Sequence, residues 1–149
     1  MKITIAVAPV LAAILALAPL FLAQAQTAAA PQVETLLSAK SSWDGTPYKS
    51  YPKGRPMLSV LKITIPPHSA LDWHSHPMPN AGYVLSGQLT VERKDNGKKQ
   101  VVTQGQALPE MVDAIHRGIS GDTPTVLIVF YAGAEGMPLS QKLPQKSSQ

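Results

Sequence analysis

The sequence predicts an all-β fold, a sandwich or barrel of short strands. Three observations carry this. From Met57 onward apolar and polar residues alternate with a period of two, as in "LKITI", where Leu61, Ile63 and Ile65 alternate with Lys62 and Thr64. Gly, Pro, Asn and Asp interrupt these runs at short, regular intervals, the spacing of strands joined by turns. No segment after residue 57 carries helical periodicity.

The start of the 149-residue chain has a different character. Met1-Lys2 is a short positive start, Ile3 to Leu22 is almost wholly apolar, and Ala23-Gln24-Ala25 is a small-x-small site. That order is a secretory signal peptide over residues 1–25, with cleavage expected after Ala25. The run approaches the length of a membrane span. Pro9, Pro19 and the cleavage-like site favour removal over anchoring. A periplasmic or secreted protein with no stable membrane anchor after cleavage is therefore expected. About 120 residues remain, enough for one core.

Residues 26–56 form a lead-in. Gln26 to Lys40 is Ala- and Gln-rich and weakly helical at Val33 to Leu37. Ser41 to Pro56, "SSWDGTPYKSYPKGRP", has the Pro and Gly content of an irregular loop. Trp43, Tyr48 and Tyr51 are expected to pin it to the body.

The barrel is expected over 57–138. Its first strand ends at Pro66-Pro67. Leu71 to His76 and Gly82 to Leu85 follow, and Ser86-Gly87 turns into Gln88 to Arg93. Asn96-Gly97 signals a two-residue hairpin whose central residues both need positive φ. Gln100 to Thr103 comes next, then a turn at Gln104-Gly105. Ala107 to Val112, Ile115 to Ser120 and Thr125 to Tyr131 complete the set, with Gly121-Asp122 between the last two. Residues 139–149 form a polar tail, with Gln141 to Gln149 expected to be disordered.

Composition removes several functions. With no cysteine there are no disulfides, thiolate metal sites or catalytic thiols. The net charge of +4 matters only where it clusters. The evident cluster, Arg93-Lys94 and Lys98-Lys99, flanks a turn and has no interleaved aromatics. It is a solvated hairpin tip, and no nucleic-acid partner is expected.

The chemistry lies in the histidines. In a strand, residues i and i+2 share a face, so His74 and His76 project together. Imidazole nitrogens suit Fe, Ni, Cu and Zn. His116 can join them from a later strand. One HxH pair is weak evidence, because surface or packed pairs are commoner than ligand pairs. His68 follows two prolines and reads as a loop histidine. Trp73, out of phase with His74, is expected against the barrel wall, and Arg117 is expected to point away from His116. Tyr83 and Tyr131 read as core or rim. Asp72 shares the parity of the histidine pair and either orients an imidazole or faces solvent.

These residues resemble the cupin superfamily. Its first motif runs G-x5-HxH, then x3 or x4, E-x6-G. Here His74-x-His76 is followed by three residues, Asn80, six more and Gly87; His68 stands at the opening Gly position. The second motif runs G-x5-P-x-G-x2-H-x3-N. Here Gly105 lies eleven before His116, with Met111, Asp113 and Ser120 at the Pro, second Gly and Asn positions. Asp113 is tolerable there, because Asp visits left-handed conformations more readily than most residues. The resemblance covers about Met57 to Tyr131. It implies a double-stranded β-helix, a jelly-roll barrel, with a divalent transition metal (Fe, Mn, Ni, Zn or Cu) held by His74, His76 and His116. It also makes pairing through edge strands, and so a homodimer, a reasonable expectation.

The departure is Asn80, at the position of the motif's ligating carboxylate. It is a weak fourth ligand, or a hydrogen-bond partner of a ligand, or the mark of a lost metal. Glu110, six before His116 in "ALPEMV", is a carboxylate that could substitute for it at the fourth position; it is either an inward functional group or a solvent-facing residue. Its even spacing argues inward, but the turn at Asp113 weakens that argument. In the enzyme reading the histidines hold the ion, Glu110 is the base, and a small organic molecule is the substrate in dioxygenase-like or isomerase-like chemistry. The alternative is a barrel that binds a small ligand or a metal without turnover. A purely structural barrel with relic histidines fits the motif spacing less well.

Overall fold

The computed structural model of the chain describes residues 29–143. The expected signal peptide and its cleavage point lie outside the described residues. Contacts divide the chain into Met1–Val33 and Glu34–Gln149, and every described strand lies in the second unit. No helix among the described residues is long and apolar enough to cross a membrane.

Nine strands are present among the described residues: β1 Pro56–Ile65, β2 His74–Ser75, β3 Asn80–Ser86, β4 Gln88–Arg93, β5 Lys99–Thr103, β6 Ala107–Pro109, β7 His116–Ser120, β8 Thr125–Ala134 and β9 Gln141–Lys142. They form two antiparallel sheets, one in the order β1-β8-β3-β6 and one in the order β5-β4-β7-β2-β9. This is the jelly-roll architecture of a double-stranded β-helix.

Alternation decides what faces inward. Asn80, Gly82 and Val84 of β3 are buried, as are Leu89 and Val91 of β4, His116, Gly118 and Ser120 of β7, and Thr125, Leu127, Val129 and Tyr131 of β8. The apolar members meet Ile65, Met78, Val102 and Leu108 in one core between the sheets. Gly87 makes the corner where the chain leaves β3 for β4 and changes sheet. Its φ is +80°, and a Cβ there would stand 2.4 Å from the Pro124 carbonyl oxygen.

The two described non-glycine residues with positive φ are His68 (50°) and Asp113 (59°). Both stand where the motif has glycine. The backbone has kept the left-handed turns although the sequence has lost the residue best suited to them.

Several elements differ from expectation. The segment Leu71 to His76 is a strand only at His74–Ser75, because its pairing with β7 lapses between the Ala70–Ile119 bridge and His74. The strand expected over Ala107 to Val112 is continuous only over Ala107–Pro109, while β3 extends to Asn80 and β8 to Ala134. The hairpin between β4 and β5 is real, but its turn is longer. Gly97 N–H donates to the Arg93 carbonyl, and of Asn96 and Gly97 only Gly97 has positive φ (67°). Val33 to Leu37 is not helical. Leu61 is 38% exposed, so only Ile63 and Ile65 carry the inward face at the end of β1. Gln141 and Lys142, within the tail expected to be disordered, pair with Ser75 and His74 as β9. Trp43 packs against the core and Tyr48 donates to the Glu110 carbonyl at 2.7 Å, but Tyr51 is 73% exposed and pins nothing.

Candidate metal centre

His74 and His116 face each other across the β2–β7 ladder as direct register partners. His76 follows β2 and is held by a bridge to Val112 and by Asp113 N–H, which donates to its carbonyl at 2.8 Å. The three rings close into a triangle, with centroids 4.8 Å (His74–His76), 4.7 Å (His74–His116) and 5.1 Å (His76–His116) apart. One ligand atom from each ring lies within 4.8 Å of the others, so the trio can hold a metal ion.

The tautomers are set by the backbone. Nδ1–H of His74 donates to the Asp72 carbonyl (2.7 Å), that of His76 to the Leu139 carbonyl (2.7 Å), and that of His116 to the Ala114 carbonyl (2.8 Å). A carbonyl only accepts, so each Nδ1 must carry the proton. Each Nε2 is then a lone-pair donor, the form a metal requires. Asp72 thus orients His74 through its carbonyl, while its carboxylate takes a surface ion pair with Lys142.

Burial also keeps two rings neutral. It pushes His76 down to about 4 and lowers His74 from the ordinary histidine value. His116 is desolvated too, but the Glu110 carboxylate beside it reverses the direction and raises it. Burial alone would raise Glu110; the neighbouring His116 instead holds it below the usual carboxylate range.

Glu110 points inward and is 8% exposed. Its Oε2 lies 3.2 Å from His116 Nε2. Asn80 is buried nearby on β3 and its Nδ2 donates to the Met78 carbonyl at 3.1 Å. Four buried side-chain polar atoms among the described residues have no hydrogen-bond partner. Three of them, Asn80 Oδ1, Glu110 Oε2 and His116 Nε2, belong to this one end of the barrel. Such atoms cost about 1–3 kcal/mol each when unmet. The closeness of Glu110 Oε2 to His116 Nε2 within the histidine cluster fits a cation held between them.

Tyr131, which sequence parity left as core or rim, stands 5.5 Å from His76 between ring centroids. Tyr83 is absent from the cavity lining. Trp73 is stacked outside the site, under the Arg117 guanidinium at 4.3 Å, so Arg117 does point away from the histidines. His68 is remote, in an exposed pair with Asp122. The cavity that His74, Glu110, His116 and Tyr131 share with aliphatic side chains measures about 30 Å³. That is room for a water-sized ligand.

Residues 61–131 match the Cupin domain family. No curated protein sequence matches the chain. Among solved structures, the chain is similar to the DMSP lyase DddQ from Ruegeria pomeroyi DSS-3, with a TM-score of 0.53 at 15% identity over 70% of this chain and 49% of that one. It is similar to the polyketide cyclase RemF from Streptomyces resistomycificus, with a TM-score of 0.50 at 19% identity over 64% and 65%. It is also similar to a cupin-like protein from Thermotoga maritima MSB8, with a TM-score of 0.50 at 14% identity over 58% and 64%. The chain thus spans less than two thirds of the length of each of these structures, and at such identities they share its fold.

Proposed function

We propose that this chain, whose residues 61–131 match the Cupin domain family, is a metal-dependent protein acting on a small organic molecule. The observation that carries this is the set of three clustered histidines, one ligand atom from each within 4.8 Å of the others, whose Nδ1 atoms are all tied to backbone carbonyls so that Nε2 is left to ligate. His74, His76 and His116 hold a divalent transition metal, one of Fe, Mn, Ni, Zn or Cu. A bound ion of this kind supplies Lewis acidity or, with Fe, Mn or Cu, redox chemistry.

The chain's own residues set the terms. The backbone carbonyls hold the imidazoles in their ligating tautomer. The Glu110 carboxylate brings the negative charge that three imidazole ligands cannot supply, and Asn80 offers only a neutral amide. The aliphatic wall excludes bulk water. The cavity admits a water-sized molecule, so a larger substrate sits at the mouth and reaches in with one group. A lyase of DMSP and a polyketide cyclase share this fold, and fold does not choose the reaction. Dioxygenase-like or isomerase-like turnover is our preferred reading, and a barrel that binds metal or small ligand without turnover is the second, favoured by the neutral Asn80 at the motif's carboxylate position.

The protein is proposed to work in the periplasm or outside the cell, on the strength of the N-terminal apolar run. A homodimer belongs to the same reading: β1 is an edge strand, and its Leu58 and Val60 are 68% and 62% exposed.

Metal analysis of untagged protein tests the proposal. About one equivalent of a transition metal is expected, directly or after reconstitution, with a rise in Tm by mass action. Less than about a tenth of an equivalent after reconstitution, with no such rise, overturns it. Oxygen consumption and product analysis with phenolic and thiol compounds then separate turnover from binding.

A further inference from the structure

We propose that Glu110 is the anionic ligand of this centre, and that it takes over from the neighbouring strand the role the motif gives to the residue at Asn80. This rests on the metal reading above and goes beyond it by assigning the fourth protein ligand.

The backbone places the two residues opposite each other. Ala81 pairs with Pro109 in the β3–β6 ladder, and one step further Glu110 N–H donates to the Asn80 carbonyl at 3.0 Å. Directly opposed residues of antiparallel strands have Cβ atoms about 4.5–5.5 Å apart and project to the same face. A carboxylate moved from position 80 to position 110 therefore enters the same space from one strand over.

The side chains agree. Glu110 Oε2 and His116 Nε2 are 3.2 Å apart, yet neither has a hydrogen-bond partner. With Nδ1–H of His116 committed to Ala114, Nε2 of the neutral ring presents a lone pair, and a carboxylate oxygen presents another. Two buried lone pairs face to face repel unless a cation lies between them. In the metal-free protein a proton on Nε2 relieves this as an ion pair with Glu110; a metal ion in the proton's place would accept both lone pairs. Two donors each about 2.1 Å from one ion are about 3.0–3.4 Å apart in octahedral or tetrahedral geometry. The observed separation falls in that range.

Gly82, the next inward residue of β3 after Asn80, is buried beside the Glu110 carboxylate, and a Cβ added there would lie in ordinary contact, 3.7 Å from Glu110 Oε1. Tyr48 fixes the Glu110 backbone through its carbonyl. A glutamate at both 80 and 110 would oppose two carboxylates in one dry site. A neutral Asn80 avoids that.

The test uses the full chain, untagged, with zinc as the probe and a competing chelator to measure affinity. Glu110→Gln, with all three histidines kept, is expected to bind zinc at least 100-fold more weakly than wild type. The exchange variant Asn80→Glu/Glu110→Gln is expected to regain at least tenfold of that loss. Zinc affinity of Glu110→Gln within threefold of wild type overturns the assignment while leaving the three-histidine centre intact, and lost turnover with retained zinc would make Glu110 a base instead. A wild type that takes up neither zinc nor any other transition metal refutes the metal reading itself. If Glu110→Gln does not fold, as judged by circular dichroism, a crystal structure of zinc-loaded wild type decides: a Glu110 oxygen about 2.0–2.2 Å from the ion supports the proposal, and one beyond about 3 Å overturns it.

Discussion

The Nδ1–H of His76 donates to the carbonyl oxygen of Leu139 across 2.7 Å of space and 63 residues of sequence. The segment that supplies this acceptor runs into β9, which pairs with β2 through Gln141 and Lys142. One of three candidate ligands thus has its tautomer set by the end of the described chain. Truncation after Pro138 removes the acceptor and β9 but leaves the 61–131 domain whole. Loss of such a supporting contact costs about 10–100-fold in metal affinity. The truncated protein is expected to show that loss in chelator competition, with its β-type circular dichroism retained. Unchanged affinity would mean that the Leu139 contact does not support the ligand.

Gly87 is the least replaceable glycine of the barrel. Its positive φ strains any L-residue, and its missing Cβ leaves space that the Pro124 carbonyl occupies. Gly87→Ala is expected to destabilise by about 2–4 kcal/mol, from backbone strain and a clash that no rotamer relieves. Urea denaturation measures this; a change below about 1 kcal/mol would show that the corner can open at little cost.

His68 and Asp113 occupy left-handed turns that suit glycine. Replacing either with Gly removes about 1–2 kcal/mol of strain and gives back about 0.5–1 kcal/mol through the freer unfolded chain. Each Gly variant is expected to match or slightly exceed wild type in Tm. Valine at either position should lower it, because a β-branched residue tolerates positive φ least.

The pH dependence of metal-free protein follows from His76. Burial lowers its folded value to about 4, against an ordinary 6.5. Above 6.5 neither state binds the proton; between 6.5 and 4 the unfolded chain takes it and the folded chain does not, so stability falls as pH falls across that window. Below 4 this contribution is flat. The loss is up to about 3 kcal/mol from this residue. His74 acts in the same direction, and His116, raised by Glu110, acts in the opposite one. Denaturation of wild type and His76→Gln from pH 7 to 4 checks the assignment: the variant should show a shallower decline, and equal slopes would remove His76 as the cause.

Away from the metal centre, Asp44 is tied into a turn by Ser42 and Thr46 and paired with Arg93. Burial opposes its charge, but the hydrogen bonds from Ser42, Thr46 and Arg93 hold its carboxyl well below the usual range. Its contribution is present above the unfolded value of 3.8 and is lost as pH falls below it. Asp44→Ala is expected to cost about 2–4 kcal/mol at neutral pH by thermal unfolding, since Arg93 loses a desolvated partner while keeping Asp95.

The sequence by itself determined the all-β architecture, the approximate spans of most strands, the corner at Gly87 and the partnership of His74, His76 and His116. These are legible because strand period, turn-forming residues and motif spacing are local properties that survive in a linear string. Asp113 shows the limit of that legibility: its left-handed turn was foreseeable, but it interrupts the count from Glu110 to His116, so parity could not say which way Glu110 faces. Only the tertiary structure turned Glu110 into the barrel opposite Asn80, brought the Leu139 carbonyl to His76, set Tyr131 beside that ring and drew the tail into β9. Each depends on register between strands far apart in sequence and on closure of one sheet over the other. A local pattern fixes which face a side chain leaves by; the pairing of distant strands fixes what it meets there.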